Sequence, residues 1–394
     1  MRNLLSREFI LLFLLAMCSN CYIAVYYCLE QWLEGLAVSP NWRGVLLAAL
    51  FAMVFLFRPL ASWLLLRADK LPAMLVSIAV SSCTMLAYPF VPAEHVIGAV
   101  LVLRVVQGIA LAVYSSCTVA VLVTCIPPGQ SARGFALFSL TLLLPYSIIP
   151  AVGEQILPVL GGAPHLFAWT GLLGVPALAM LFPLASSLKK TEDSSGETQK
   201  LSWREAWRAM SGSGLPLIYL ACMSFSIMTG QAIFFMKGLC ALTGGQSAWF
   251  FTTYTVTIMA VRLLGSRILD RLPRYRVMLL CCAFLAACML GFAWGPLWAF
   301  VPLSCVYGVG LGLLYPLLAA MVYDRSSPAM RSINSNVMMS TFDASSMLAP
   351  LLGGMVIHMG FGYRGVFAGT AVAMTVCCIC VLADRFRLRR SSPQ

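Results

Sequence analysis

Charged side chains are few: they make up 10% of the 394 residues, and only 14 are acidic. So little polar surface cannot coat a soluble globule of this size. Histidine is scarcer still. His95, His165 and His358 are dispersed, so the pattern offers neither a His-rich nor an acidic metal cluster, and no metal, cofactor or enzyme activity is expected. Basic runs interleaved with aromatics on a polar surface are also missing, which argues against a nucleic-acid partner despite a net charge of +12. The 15 cysteines lack a pairing pattern, since most lie inside apolar runs, where cysteine serves as a small hydrophobe. Cys18-Ser19-Asn20-Cys21 has the spacing of a thiol or metal pair, but it is buried in the first apolar run with no second pair to complete a site.

What is abundant is apolar sequence, at 60% of residues with a mean hydropathy of +0.88. The apolar runs are about 20 residues long, the length of a membrane-crossing helix, whereas barrel strands would be half that and alternate in polarity. An all-α membrane protein follows, with spans expected at 8–29, 43–66, 72–91, 96–124, 135–157, 165–185, 214–236, 248–269, 276–295, 298–322, 334–357 and 362–383. The first run has no cleavage site with small flanking residues and reads as an uncleaved span. Of the 26 Lys and Arg, 20 fall at the termini and in alternate loops, 3 on the other side (Arg43, Lys237, Arg364) and 3 within apolar runs (Arg58, Arg104, Arg262). The positive-inside rule then places both termini in the cytoplasm; the expected location is the cytoplasmic (inner) membrane.

The most informative stretch is Val261–Val277, VRLLGSRILDRLPRYRV, a basic turn between two apolar runs. Its Arg262–Arg271 part aligns with Arg58–Arg67 at a shift of 204, with Arg, Leu, Ser, Leu and Arg coinciding. A shift near 200 relates Gly108 to Gly308, Pro128 to Pro328, Pro150 to Pro350, Gly153 to Gly353 and Gly162 to Gly362. The second half is a worn copy of the first. Between the copies, 186–213 is polar, with KKTEDSSGETQK followed by a segment in which Trp203, Ala206, Trp207 and Met210 recur at helical spacing beside Arg204 and Arg208. That is the pattern of a solvated linker and a short helix on the membrane surface. The expected organisation is a six-helix bundle at 1–185, the linker at 186–213 and a second six-helix bundle at 214–394, the two being pseudo-symmetric.

At these residues the chain resembles the major facilitator superfamily. The family's loop between second and third spans reads like RPLAGRLADRFGRR; the second copy here keeps Arg262, Asp270, Arg271, Arg274 and Arg276. The first copy keeps Arg58, Pro59, Leu60, Ala61 and Arg67 but has Leu66 in place of the acid. The fourth-span pattern Arg-x-x-Gln-Gly appears as Arg104, Gln107 and Gly108, and the loop with Pro127, Pro128, Arg133 and Gly134 also fits. The fifth-span efflux signature is eroded to Pro150 and Gly153, whereas the eleventh span, with Asp343, Pro350, Gly353 and Gly354, is closer to it. The overall look is similar to sugar-efflux and drug-efflux members.

Charges inside apolar runs carry the functional expectations, because placing one at mid-membrane costs about 2.5–3.5 kcal/mol on insertion scales. Arg58 and Asp343 lie about 12–14 Å deep. The resemblance implies that their helices pack, so they are candidates for a gating ion pair; the alternatives are a permanent structural pair and an Arg58 that only snorkels to the interface. Arg104 cannot release a proton at ordinary pH. It can depress a carboxylate pKa or pair with an anionic solute, or else be a structural Arg held by backbone and Gln107. Candidate carboxylates are Glu30, Glu154 and Asp343. The turn residues Arg67, Arg262, Asp270, Arg271 and Arg274 form the expected cytoplasmic gate loop, with Asp270 opposite Arg271 or Arg274.

The resemblance also implies that the first, fourth, seventh and tenth spans line a substrate cavity. Candidates on them are Asn20, Tyr26, Gln107, Tyr114, Thr229, Gln231, Tyr307 and Tyr315. Hydroxyls, aromatic walls and little negative charge suit a neutral, amphiphilic or anionic organic molecule better than a polycation. The expectation is a secondary-active transporter, monomeric in the bilayer, that exports a small organic solute by alternating access with the proton as coupling ion. Uptake by symport or facilitated diffusion is the alternative, and a sensing receptor on a transporter scaffold a more distant one.

Overall fold

The computed structural model describes residues 4–64, 69–192 and 214–391. Leu66, Arg67 and the surface-helix segment around Trp203–Met210 lie outside the described residues. Within them the regular structure is helical, as the apolar runs require, because only a helix satisfies every backbone group within its own segment in lipid.

The first six helices are α1 (Arg7–Gly35), α2 (Pro40–Leu64), α3 (Lys70–Ala87), α4 (Val96–Cys125), α5 (Ser131–Phe138 and Leu140–Leu160) and α6 (Ala163–Gly171 and Gly174–Glu192). The others are α7 (Pro216–Thr243), α8 (Ser247–Leu264), α9 (Arg274–Trp294), α10 (Phe300–Arg325), α11 (Arg331–Val356) and α12 (Gly362–Ser391). Ten helical stretches among the described residues are long and apolar enough to cross a membrane. The last of them, Pro328–Leu388, contains both α11 and α12, parted at Gly360 with its φ of +88°. Helix α8 is not among the ten; Thr252, Thr253, Thr255 and Thr257 dilute its apolar content.

Several helices outrun the expected spans, among them the first and the seventh. The first reaches Gly35 rather than residue 29, because Leu29 and Leu33 are fully buried and the Trp32 ring meets Tyr88 and Phe167 at 6.1 Å. Glu30 and Glu34 face outward on the same turns, and Glu34 pairs with Arg43 at 3.1 Å. The seventh continues to Thr243, burying Leu239 and Cys240, and Gly244 with φ +77° ends it.

The chain divides into two compact units: Met1–Pro127 with Phe138–Leu201, and Pro128–Leu137 with Ser202–Gln394. Within the first, α2 packs on α4, α3 on α4 and α6, and α1 on α5 and α6. The second repeats the scheme: α8 packs on α10, α9 on α10 and α12, and α7 on α11 and α12. The repeat holds at atomic detail. A Cβ added to Gly108 would lie 2.7 Å from Leu50 O and Met53 Cβ; one added to Gly308 would lie 2.8 Å from Tyr254 O and 2.7 Å from Thr257 Cβ. Leu50 and Met53 map onto Tyr254 and Thr257 at the shift of 204 read from the basic turns. Glycine thus sets the same backbone approach in both copies.

Candidate functional site

In the first unit the centre is Arg104 on α4, only 1% exposed. Its Nε donates to Leu46 O at 3.1 Å and Nη2 to Leu47 O at 2.9 Å, both carbonyls of α2. The guanidinium carbon stands 4.2 Å from the Tyr26 ring centroid, inside cation–π range. Nη1 is buried and has no hydrogen-bond partner, and no ion pair joins Arg104 to a carboxylate among the described residues.

Tyr26 is set in position by a single 3-10 turn, Val25–Cys28, inside α1. Its hydroxyl meets Gln107 Oε1 and lies 3.1 Å from Met85 Sδ. A phenol has one proton, and the amide oxygen is the stronger acceptor, so Gln107 receives it. The Gln107 amide in turn donates to Met85 Sδ at 3.3 Å. Around this chain Tyr26, Tyr88 and Phe167 stack at 4.9–5.9 Å, closing the site in aromatic rings. Structure therefore joins Tyr26, Arg104 and Gln107 from the expected set. Asn20 is elsewhere in the unit, donating to Thr141 O at 3.0 Å. Tyr114 is buried with its hydroxyl unpartnered, Glu154 is exposed, and Arg58 is buried on α2.

In the second unit Arg262 is buried on α8, with Nη2 3.5 Å from Leu311 O and the guanidinium 5.2 Å from the Tyr315 ring centroid. Tyr315 meets Phe342 at 5.5 Å, beside the partly exposed Asp343. Tyr307 is buried and packs with Phe250 at 5.4 Å and Tyr254 at 5.6 Å in an aromatic cluster. Thr229 donates to Phe225 O at 3.0 Å, and Gln231 is buried.

The ends of α9, α10 and α12 carry a second charged assembly. Asp270 accepts from Ala132 N at 2.9 Å and Arg133 N at 3.2 Å, at the opening turn of the Ser131–Phe138 helix, where carboxylates complement free N–H groups. Arg274 is 3.9 Å from Asp270 and pairs with Asp324; Arg271 is exposed. Ser131 donates to Asp324 at 2.8 Å and accepts from Arg274 at 3.2 Å. Burial raises the Asp270 pKa above its ordinary value, against the opposing pull of the two backbone N–H groups and Arg274. Beside this, Arg325 grips Asp384 with two bonds of 2.6 Å, and Tyr275 donates to Asp384 at 2.7 Å and also meets Arg325. Asp324, Arg325, Asp384 and Tyr275 were not anticipated from sequence. The available signal was an acid–base step closing the tenth apolar run and a single acid within the basic stretch DRFRLRR.

No group of three or more potential metal ligands occurs among the described residues. No curated protein matches the chain at a significant level. Among solved structures, the human organic anion transporter MFSD10 (TETRAN) is similar with TM-score 0.77 and 14% identity, over 95% of this chain and 100% of that one. The E. coli fucose:proton symporter FucP gives 0.75 and 12%, over 95% and 98%. A bacterial homologue of the iron transporter ferroportin, in an outward-facing state, gives 0.77 and 11%, over 96% and 100%. At these identities the likeness is one of fold. The Major Facilitator Superfamily pattern matches residues 9–243 and 237–394, so the chain belongs to that superfamily of membrane transporters rather than to any enzyme class.

Proposed function

We propose that the protein is a secondary-active transporter of a small organic solute, neutral or anionic, exported by alternating access with proton coupling from the cytoplasmic membrane. Arg104 carries the reading. A buried guanidinium with no carboxylate partner, and with Nη1 unpaired, is costly to keep, because desolvation is not offset by a counter-charge. A transport cycle relieves that cost when an anion reaches Nη1. The anion is either the solute's own or a carboxylate that gives up its proton as it pairs, and each route links solute movement to charge. Arg58 and Asp343 are the proposed gate partners, with Glu154 as a further acid, on the sequence argument alone. The six-helix bundles at 1–185 and 214–394, joined by the 186–213 linker, are the proposed moving bodies of a monomer with both termini in the cytoplasm.

The test is proton movement in proteoliposomes loaded with a pH-sensitive dye and challenged with sugars, amino acids, organic acids and lipophilic drugs. Wild type is compared with Arg104→Ala and Asp343→Asn. Solute-dependent proton flux, absent in both variants, supports the proposal, and its sign separates export by antiport from uptake by symport. Solute entry without proton flux would make the protein a facilitator and end the coupling role of both residues.

A further inference from the structure

Helices α9 and α12 run antiparallel and meet at two levels of one seam. At the charged end Tyr275 donates to Asp384 at 2.7 Å. Seven residues inward on each helix, Cys282 Sγ lies 3.6 Å from Cys377 Sγ. At 1.5 Å rise per residue this thiol rung is about 10 Å inside the polar one. Both cysteines are fully buried and reduced, and the neighbouring Cys378 is partly exposed. A disulfide would bring the sulfurs to about 2.05 Å, so the pair is in contact but unbonded. None of the transport chemistry argued above uses it.

We propose that Cys282 and Cys377 form a two-thiol site for a trivalent arsenical. Thiol sulfur is a soft donor that selects soft acceptors. Two sulfurs held on one pyramidal arsenic sit close to the contact distance seen here, whereas a linear mercuric bridge would have to push the helices apart. In the reaction R–As(OH)2 takes both thiols: two As–S bonds form, two As–O bonds break, and each thiol proton leaves with a hydroxide as water. Arsenic stays trivalent, so no oxidant or reductant is needed. Uncharged organic arsenicals dissolve in lipid, and the partly exposed Cys378 marks the side of the seam nearest the surface. The bridge ties α9 to α12 within one unit and acts as a staple on that seam.

The test treats the purified full-length chain with one equivalent of phenylarsine oxide, counts remaining thiols, maps the bridged peptides by mass spectrometry and records the melting temperature. The expected result is loss of two thiols per arsenic, a bridge joining Cys282 to Cys377, a raised melting temperature, and reversal of all three by a dithiol. Cys282→Ala and Cys377→Ala should each cut arsenic occupancy at least tenfold at the same dose, while Cys222→Ala, at another buried thiol, retains it. Melting without arsenic shows whether each variant is folded, and either single variant suffices. Arsenic found instead on the helical pair Cys18 and Cys21, occupancy unchanged in a folded Cys282→Ala or Cys377→Ala protein, or no adduct at all would overturn the proposal.

Discussion

Where the first unit carries Arg104 and Gln107, the second carries Ser304 and Tyr307 at the shift of 200; where the second carries Asp324, Arg325 and Asp384, the first has Thr124, Cys125 and Leu184. The backbone scheme is duplicated down to the glycine contacts, and the buried Arg58 recurs as the buried Arg262, yet these other charges are not repeated. In the first unit an unpaired cation is sunk mid-helix among aromatic rings. Ser304 merely donates to Phe300 O at 2.8 Å, one turn back, and Tyr307 joins a ring cluster. In the second unit Arg262 is buried on α8 beside the Tyr315 ring and Asp343 lies within α11, but Asp270, Arg274, Asp324, Arg325 and Asp384 gather at helix ends in paired contacts, with Asp384 only 1% exposed. Helix packing by small residues is thus common to both units, while charge placement differs: under the proposed function the first unit would handle a mobile anion, and the second holds charged pairs that brace helix ends.

Exchanging parts between the units tests that division. The largest effect should come from Asp384→Asn, which leaves Arg325 partly buried without its counter-charge; a loss of about 3–5 kcal/mol is expected, read as a lowered melting midpoint in detergent. Combining Asp384→Leu with Arg325→Cys, the residues of the first unit, should recover most of it, since no charge is then stranded. Failure of the double variant to improve on Asp384→Asn would mean that Tyr275 or the wider network, not the pair, is the brace. Next in size, Gly108→Ala and Gly308→Ala should each cost about 1–3 kcal/mol by overpacking, and by similar amounts. A clear inequality would break the claim that the two crossings are equivalent.

Smaller effects should separate the two tyrosines. Tyr26→Phe removes the Gln107 partner and should cost about 1 kcal/mol, while Tyr307→Phe, deleting a buried hydroxyl with no partner, should be neutral or stabilising. The smallest concerns pH. Because the folded Asp270 holds its proton to higher pH than the unfolded chain does, its contribution to stability falls as pH rises through that raised pKa. Asp270→Asn should remove that part of the acid-side slope in a melting-versus-pH series, and a slope that stays would place the titration elsewhere.

The helices were legible because apolar runs of spanning length leave the backbone no other structure, and the repeat was legible because Gly and Pro punctuate both copies. Arg104 was legible as a buried charge, but its acceptors were not: Leu46 O and Leu47 O are backbone atoms, and no side-chain identity advertises them. The same applies to Asp270, whose nearest partners are the N–H groups of Ala132 and Arg133. Asp384 was hidden because an acid in a basic stretch reads as solvated, and its partner Arg325 is 59 residues away. Tyr307 illustrates a different limit. A tyrosine on a helix expected to face a cavity has the same composition signal wherever its ring goes; here it packs among Phe250, Tyr254 and Phe292.

The division of charge between the units is tested most directly by solute-driven proton flux per folded molecule in proteoliposomes. Arg104→Gln and the double variant Asp384→Leu with Arg325→Cys would be run side by side with wild type. The account predicts that Arg104→Gln melts close to wild type and carries no flux, whereas the double variant keeps its flux. Flux retained in Arg104→Gln but lost in a folded double variant would contradict it, moving the mobile charge from the first unit to the second.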